Sequence, residues 1–305
     1  DAQRRRLLSF AAVGGGVTGV EVAAEMMDMA RDTLMPRYPS LHASQLSFTV
    51  IEGGDRVVAS ARPAHSRYVH QFLQRRGVAV RLNARVTRVE PRRVWLSDGS
   101  AVDAFTLLWT AGVYPPEVVR ELPVQHAPDG RVRVDQWLRA IDEQGDPIEC
   151  LHVIGDCAAS PRGDGSLQPA LSQTAIAMGS HVGGQLVARA SGRGSEPFLF
   201  QDVGYIISLG QHSSVVDLFG IPVSGKLAWL MWAAAYLFKM VGLRKQIEVG
   251  LDHLTHLFFT HDSSQILNRR NILSDDELNL SLSGTVPAGN SGERPSNSAP
   301  RDRCS

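Results

Sequence analysis

Six residues near the start of the chain constrain its fold most. Gly14-Gly15-Gly16-Val17-Thr18-Gly19 lies between a short apolar run, Leu7–Val13, and a stretch of helical periodicity that begins at Val17. A glycine-rich turn between a strand and a helix can hold a dinucleotide. Gly14 allows the tight turn, Gly16 lets the backbone approach a pyrophosphate, and Gly19 lets the helix pack close to the strand. The helix N-terminus then faces the phosphates with free N–H groups. The competing reading is a glycine turn without a ligand.

The helical stretch places Val20, Ala23, Ala24, Met27 and Leu34 on one side and ends at Pro36 and Pro39. A second strand, Leu46–Glu52, follows. Glu52 stands where a carboxylate would accept both hydroxyls of a ribose and repel a 2′-phosphate, which favours NADH over NADPH. The gap from Gly19 to Glu52 exceeds the usual spacing of about 20 residues, because the helix between them is extended. A solvated strand-end carboxylate is the alternative for Glu52.

Further along, Ala64–Gly77 reads as a helix closed by Gly77 and "VAVRL" as a third strand. Apolar alternation around Asp98-Gly99 predicts a small antiparallel insertion, followed by a buried strand at Leu107–Trp109. "CLHVIGD" (150–156) reads as a strand, Pro169–Arg189 as a helix, 191–197 as a linker and 202–225 as a hairpin. From Ser274 the chain is rich in Ser, Gly, Asn and Pro, which predicts a disordered tail.

Charge and cysteines exclude several classes. Lys plus Arg equal Asp plus Glu at 31 each, so no global field favours nucleic acid. Cys150, Cys157 and Cys304 form no CxxC pair, so neither a redox dithiol nor a thiolate metal site is expected. Cys157 reads as a small buried thiol. Asp252, His253, His256 and His261 lack any metal-binding spacing and read as a solvated helix face. No signal peptide opens the chain, and its first residue is Asp, so a fragment or processed product is expected.

"LLWTAGV" (107–113), followed by "CLHVIGDCAA" (150–159), is more specific than the glycines. With "VGGGVTGVEVAAEM" and "FTVIEGGDRVV", these segments resemble the two-dinucleotide-binding flavoproteins, and within them the type II NADH dehydrogenases. The resemblance covers roughly residues 4–270. It implies an α/β fold: a Rossmann-like three-layer NAD domain (1–112) inserted in an FAD domain of which only the returning half (113–195) is present. A C-terminal hairpin with amphipathic membrane-surface helices (196–270) and a disordered tail (271–305) would complete the chain.

The resemblance further implies FAD and NAD as cofactors and an enzyme passing hydride from NADH to flavin and electrons to a membrane quinone. Gly14, Gly15, Gly16, Thr18, Gly19, Glu52, Ala111 and Gly112 would hold NAD, and Gly155 and Asp156 would hold FAD. Glu21 would lie in the first turn of the phosphate-binding helix and border the nicotinamide–flavin contact; a carboxylate favoured by the helix dipole is the alternative. Gln173 matches a family Gln beside the flavin, whereas the Gln-Gln pair expected near the quinone has become Ala177-Met178. That departure leaves another acceptor open. The other readings are a related flavoprotein reductase and a non-catalytic NAD-binding fragment that does not retain FAD.

Leu227–Phe238 is twelve uninterrupted apolar residues, about 18 Å as a helix, too short for a bilayer core of about 30 Å. Lys226, Lys239, Arg244 and Lys245 flank it, and Ile247, Leu251, Leu254 and Phe258 repeat at helical spacing beyond it. Periodicity alone favours core or homodimer-interface helices. The resemblance implies peripheral, monotopic attachment on the cytoplasmic side of a membrane through residues 226–259.

Overall fold

The computed structural model describes residues 2–163, 165–200, 202–210, 212–239 and 243–256. The expected tail, Phe258, His261 and Cys304 lie outside the described residues, as do the side chains of Asp252, His253, Leu254 and His256.

A short helix, α1 (Ala2–Leu7), leads into β1 (Ser9–Val13) and α2 (Val17–Asp28). The chain continues as a π-helical turn, Met29–Leu34, and a 3₁₀ turn, Met35–Arg37, that contains Pro36. The sequence predicts one regular helix to Leu34. The wider turn shifts the angular position of each later residue, and Leu34, expected to face inward, is exposed.

Next come β2 (Ser47–Ile51), α3 (Pro63–Arg75) and β3 (Val78–Arg81). Pro63 opens α3, where its missing N–H costs no helical bond, and Gly77 at φ +80° closes it. The predicted insertion is a three-stranded antiparallel sheet, β4 (Val86–Glu90), β5 (Arg93–Leu96) and β6 (Ala101–Asp103). β7 (Thr106–Trp109) returns to the main sheet, whose order is β3-β2-β1-β7, all parallel.

Alternate residues of a strand point to opposite faces, and here both faces are covered. Ala12 and Val50 meet Val20, Ala23, Val69 and Leu73 of the helices. Ala11, Val13 and Ile51 meet Val94 and Leu96 of the small sheet. The first unit is therefore three-layered. Trp109, expected to be buried, is 58% exposed at the open end of the edge strand β7.

The second unit holds α4 (Glu117–Arg120), β8 (Val132–Arg133), β9 (Arg139–Ile141), β10 (Pro147–His152), β11 (Ala158–Ala159) and α5 (Ser172–Ala190). Val132, Leu138, Ala140, Met178 and Phe198 form its own core. The sequence extends the strand at 150 to Asp156, but β10 ends at His152 and Gly155–Cys157 form a 3₁₀ turn. Gly155, at φ +67°, turns the chain there.

The predicted hairpin at 202–225 is a three-stranded meander, β12 (Gly204–Ser208), β13 (Ser214–Leu218) and β14 (Ile221–Gly225). Its second turn, Phe219-Gly220, has positive φ at both residues, as a primed two-residue turn requires. Alternation runs through so short a turn and hides it. Ile207, Leu209 and Val215 join the core of α2 and α3, so the meander sits on the first unit. Arg62 pairs with Asp217, and its backbone N–H donates to Tyr205 Oη at 2.9 Å.

The chain then forms α6 (Lys226–Lys239) and α7 (Leu243–His256). α6 buries Ala228 completely, while Leu227, Leu230 and Tyr236 are exposed, as are Ile247 and Leu251 of α7. Among the described residues no helix is long and apolar enough to cross a membrane.

Candidate functional site

The C-terminal ends of the parallel strands β1, β2 and β7 form one crest, where open α/β sheets bind ligands. Gly14 leaves β1 at φ +106°, and its N–H donates to Ile51 O at 2.8 Å. A Cβ on Gly14 would lie 2.8 Å from Ala111 N, and one on Gly19 would collide with the Gly14 carbonyl and lie 2.7 Å from Thr110 Oγ1. These two glycines let loop, helix and β7 meet. Gly16 differs: no heavy atom lies within 4 Å of a Cβ built there. Gly16 and Thr18 are exposed, so the loop presents an open cradle at the helix N-terminus.

Sequence reasoning missed Thr110, which locks this loop by donating from Oγ1 to Val13 O at 2.9 Å and Gly14 O at 3.1 Å. Its place in "WTAG" between two expected site segments was the available signal. Ala111 and Gly112 follow it at the exposed rim.

Glu52 reaches the glycine loop across 37 residues of chain. Its Oε2 accepts from Gly15 N at 2.6 Å and its Oε1 from Gly54 N at 2.7 Å. A carboxylate has about four acceptor positions, so each oxygen keeps capacity for a ribose hydroxyl. A Cβ on Gly15 would lie 2.9 Å from Glu52 Cβ, which explains the glycine there.

Glu21 falls beyond the first turn of α2, because the helix starts at Val17 and carries no acidic residue in that turn. Its Oε1 accepts from Ser208 N at 2.9 Å, at the end of β12. Burial raises its pKa; the Ser208 N–H works against this, and neighbouring Glu25 adds to it. Gln173 meets the other end of that strand, donating from Nε2 to Gly204 O at 3.3 Å. β12 therefore links the two residues expected at the reacting centre.

Gly155 and Asp156 belong to the second unit, in the 3₁₀ turn after β10. Asp156 is exposed and lines a cavity of about 300 Å³ with Tyr114, Asp129, Arg131 and Cys157. Gly155 N donates to Met178 Sδ at 3.3 Å. Met178 is thus buried under the turn. Cys157 is a half-buried free thiol, and Cys150 is exposed. Among the described residues no three His, Cys, Asp or Glu side chains converge as a metal site.

Comparison with known proteins places the chain in a family. Residues 2–179 match the family described as pyridine nucleotide-disulphide oxidoreductase. The chain is 30% identical over 282 residues to the mitochondrial internal alternative NAD(P)H-ubiquinone oxidoreductase A1 of Arabidopsis thaliana, covering 87% of this chain and 54% of that protein. It is 29% identical to a type II NADH:quinone oxidoreductase of Haemophilus influenzae, covering 80% of this chain and 55% of that protein. The chain thus spans about half the length of the curated relatives it matches. In fold it is similar to NDH2 from Plasmodium falciparum solved with NADH, with a TM-score of 0.76 at 16% identity over 86% of this chain and 68% of that chain. With more than half of its length matching the family, this chain belongs to the pyridine nucleotide-disulphide oxidoreductases.

Proposed function

We propose that this chain supplies the NADH-binding domain and the returning FAD-binding segment of a type II NADH:quinone oxidoreductase. The observation that carries the reading is the crest itself: an open Gly16 beside packed Gly14 and Gly19, with the Glu52 carboxylate held at the loop. The relatives named for NADH and quinone support the substrate pair.

FAD and NAD, when bound, supply hydride and electron transfer, while the protein supplies orientation and electrostatics. Backbone N–H groups at the start of α2 would bind the NADH pyrophosphate. Glu52 would accept the ribose hydroxyls at Oε1 and Oε2 and repel a 2′-phosphate. Glu21 would hold a proton at Oε2 beside the nicotinamide–flavin contact, since Oε1 is occupied by Ser208 N–H. Asp156 would orient FAD from the exposed end of the Gly155 turn, and Gln173 would border the flavin ring from the start of α5.

The exposed apolar residues of α6 and α7, flanked by Lys226, Arg244 and Lys245, favour a seat on a lipid surface from which quinone is reached. That seat would be peripheral, on the cytoplasmic side; a homodimer is the competing cover. Flotation with anionic liposomes tests it: Trp229→Glu with Trp232→Glu should release the protein, and unchanged flotation would refute membrane attachment. For NADH, Gly16→Val should abolish binding measured by calorimetry while leaving the fold intact, because only open space receives the side chain.

A further inference from the structure

The meander is fastened to the start of α3 by a chain of hydrogen bonds that runs through one tyrosine. Arg62 N–H donates to Tyr205 Oη at 2.9 Å, and Tyr205 Oη lies 2.9 Å from His65 Nδ1. The two rings meet edge to face, 5.8 Å apart at 86°. A phenol has one proton to give. Among the described residues, His65 Nδ1 is the one acceptor within hydrogen-bond distance of Oη. That order of donors requires a neutral imidazole with its own proton on Nε2. His65 is buried, as is Asp217, which stands opposite Tyr205 in the β12–β13 register. Asp217 already pairs with Arg62, whose Nη2 also donates to Gly220 O at 3.1 Å.

We propose that His65 is a positioning residue: its neutral ring holds Tyr205, and protonation of that ring releases the Gly204 end of β12 and with it Gln173. The inference rests on the NADH:quinone reading, which puts Gln173 beside the flavin, and adds a control to that site. Gln173 Nε2 donates to the carbonyl of Gly204, the residue before Tyr205. A protonated imidazole carries a donor on both nitrogens. Nδ1–H and the phenol proton then oppose each other, and the link breaks. The other end of β12 has separate ties. Tyr68 Oη meets Ser213 Oγ at 3.2 Å in the following turn, and Ile207 and Leu209 sit in the core. Acid therefore loosens one end of the strand and leaves the other seated.

The surroundings oppose the charged ring. Burial lowers the pKa of His65 from its ordinary value of 6.5; Asp217 works against this, and Arg62 adds to it. Burial also raises the pKa of Tyr205 above its ordinary 10.0, so the phenol keeps its proton near neutral pH. The charged groups that act on His65 are Arg62 at the start of α3 and Asp217 of β13. Tyr205 of β12 is its other titratable neighbour, and β14 carries no titratable side chain. The carboxylate that could offset a proton on His65 is thus already engaged by Arg62. With the folded pKa below the unfolded one, docking is full above 6.5 and weakens as the pH falls below it.

Hydrogen exchange of the full chain reads this latch without cofactor or substrate. Between about pH 7.5 and about pH 5.5, opening of residues 204–208, corrected for the intrinsic pH dependence of exchange, should rise by up to about tenfold. Residues 9–13 of β1 should show no such rise. His65→Gln, which offers Tyr205 an Oε1 acceptor and does not titrate, should keep β12 closed at both pH values. Tyr205→Phe, which loses only the hydroxyl, should open residues 204–208 already at neutral pH. Ring-carbon NMR should place the His65 midpoint below 6.5 in the wild type. In the flavin-loaded protein, wild-type kcat should fall about fivefold over the same acid range at constant KM for NADH, and His65→Gln should remove the fall. The same exchange response in wild type and His65→Gln, or a midpoint at or above 6.5, would overturn the latch. Equal kcat of the two proteins across pH would overturn the positioning role. A wild type that shows the exchange response but does not reduce quinone upholds the latch and defeats the NADH:quinone reading instead.

Discussion

Gly14, directly after β1, and Gly155, three residues beyond β10, both turn the chain with positive φ, yet their surroundings differ sharply. A Cβ on Gly14 meets the backbone of Thr110 and Ala111 at 2.8 Å, whereas one on Gly155 meets only the Ala175 methyl, at 3.4 Å. The first turn is enclosed by its own unit, with Thr110 and Glu52 locking the loop from two sides. The second opens onto a cavity whose lining includes exposed Asp156, Val113 and Tyr114. The first turn is closed by contacts from within residues 9–112, while the second faces an open cavity.

If the units are as separate as their cores, damage to one should leave the other's chemistry untouched. Leu138 is fully buried in the second core. Leu138→Ala should therefore cost about 2–5 kcal/mol in urea unfolding of that unit, with NADH affinity unchanged. Loss of NADH binding would show that the units are coupled. Gly19→Ala strikes the enclosed turn itself, where backbone atoms cannot move aside. It should destabilise the first unit by about 1–3 kcal/mol and remove NADH binding, as read by denaturation and calorimetry.

A smaller effect sharpens the role of the meander. Burial raises the pKa of Glu21 above its ordinary value of 4.5, so the folded chain binds this proton more tightly than the unfolded chain. Its contribution to stability is full below the ordinary value and falls as pH rises through the folded one. Glu21→Gln should flatten that decline between acid and neutral pH, measured by thermal melts; a parallel pH profile would show that Glu21 is not perturbed.

The comparison also explains what could be read from the sequence. The glycine loop, β1 to β3, α3 and the small antiparallel sheet were legible because each carries a local pattern: strand-helix glycines, a Pro63 start, a Gly77 stop, the Asp98-Gly99 turn. Leu34 and Trp109 were misread because their burial depends on a π-turn and on the open end of an edge strand. Periodicity does not encode either. The end of β10 was placed too late, since "CLHVIGD" stays apolar past the residue at which pairing with β9 stops. Glu52 could be placed at the loop from its position after a strand. Thr110 carries only its place in "WTAG" as a signal, and Ser208 none, because their partners lie 96 and 187 residues away and no spacing rule joins them.

The central claim, NADH recognition by the Gly14–Gly19 loop and Glu52, is tested most directly by calorimetric titration of wild type and Glu52→Gln with NADH and NADPH. Wild type should bind NADH in clear preference to NADPH. Loss of the charge should weaken NADH and relieve the repulsion of the 2′-phosphate, shrinking the preference about tenfold, or roughly 1.4 kcal/mol. Equal affinity of the wild type for both nucleotides, unchanged in the variant, would contradict it.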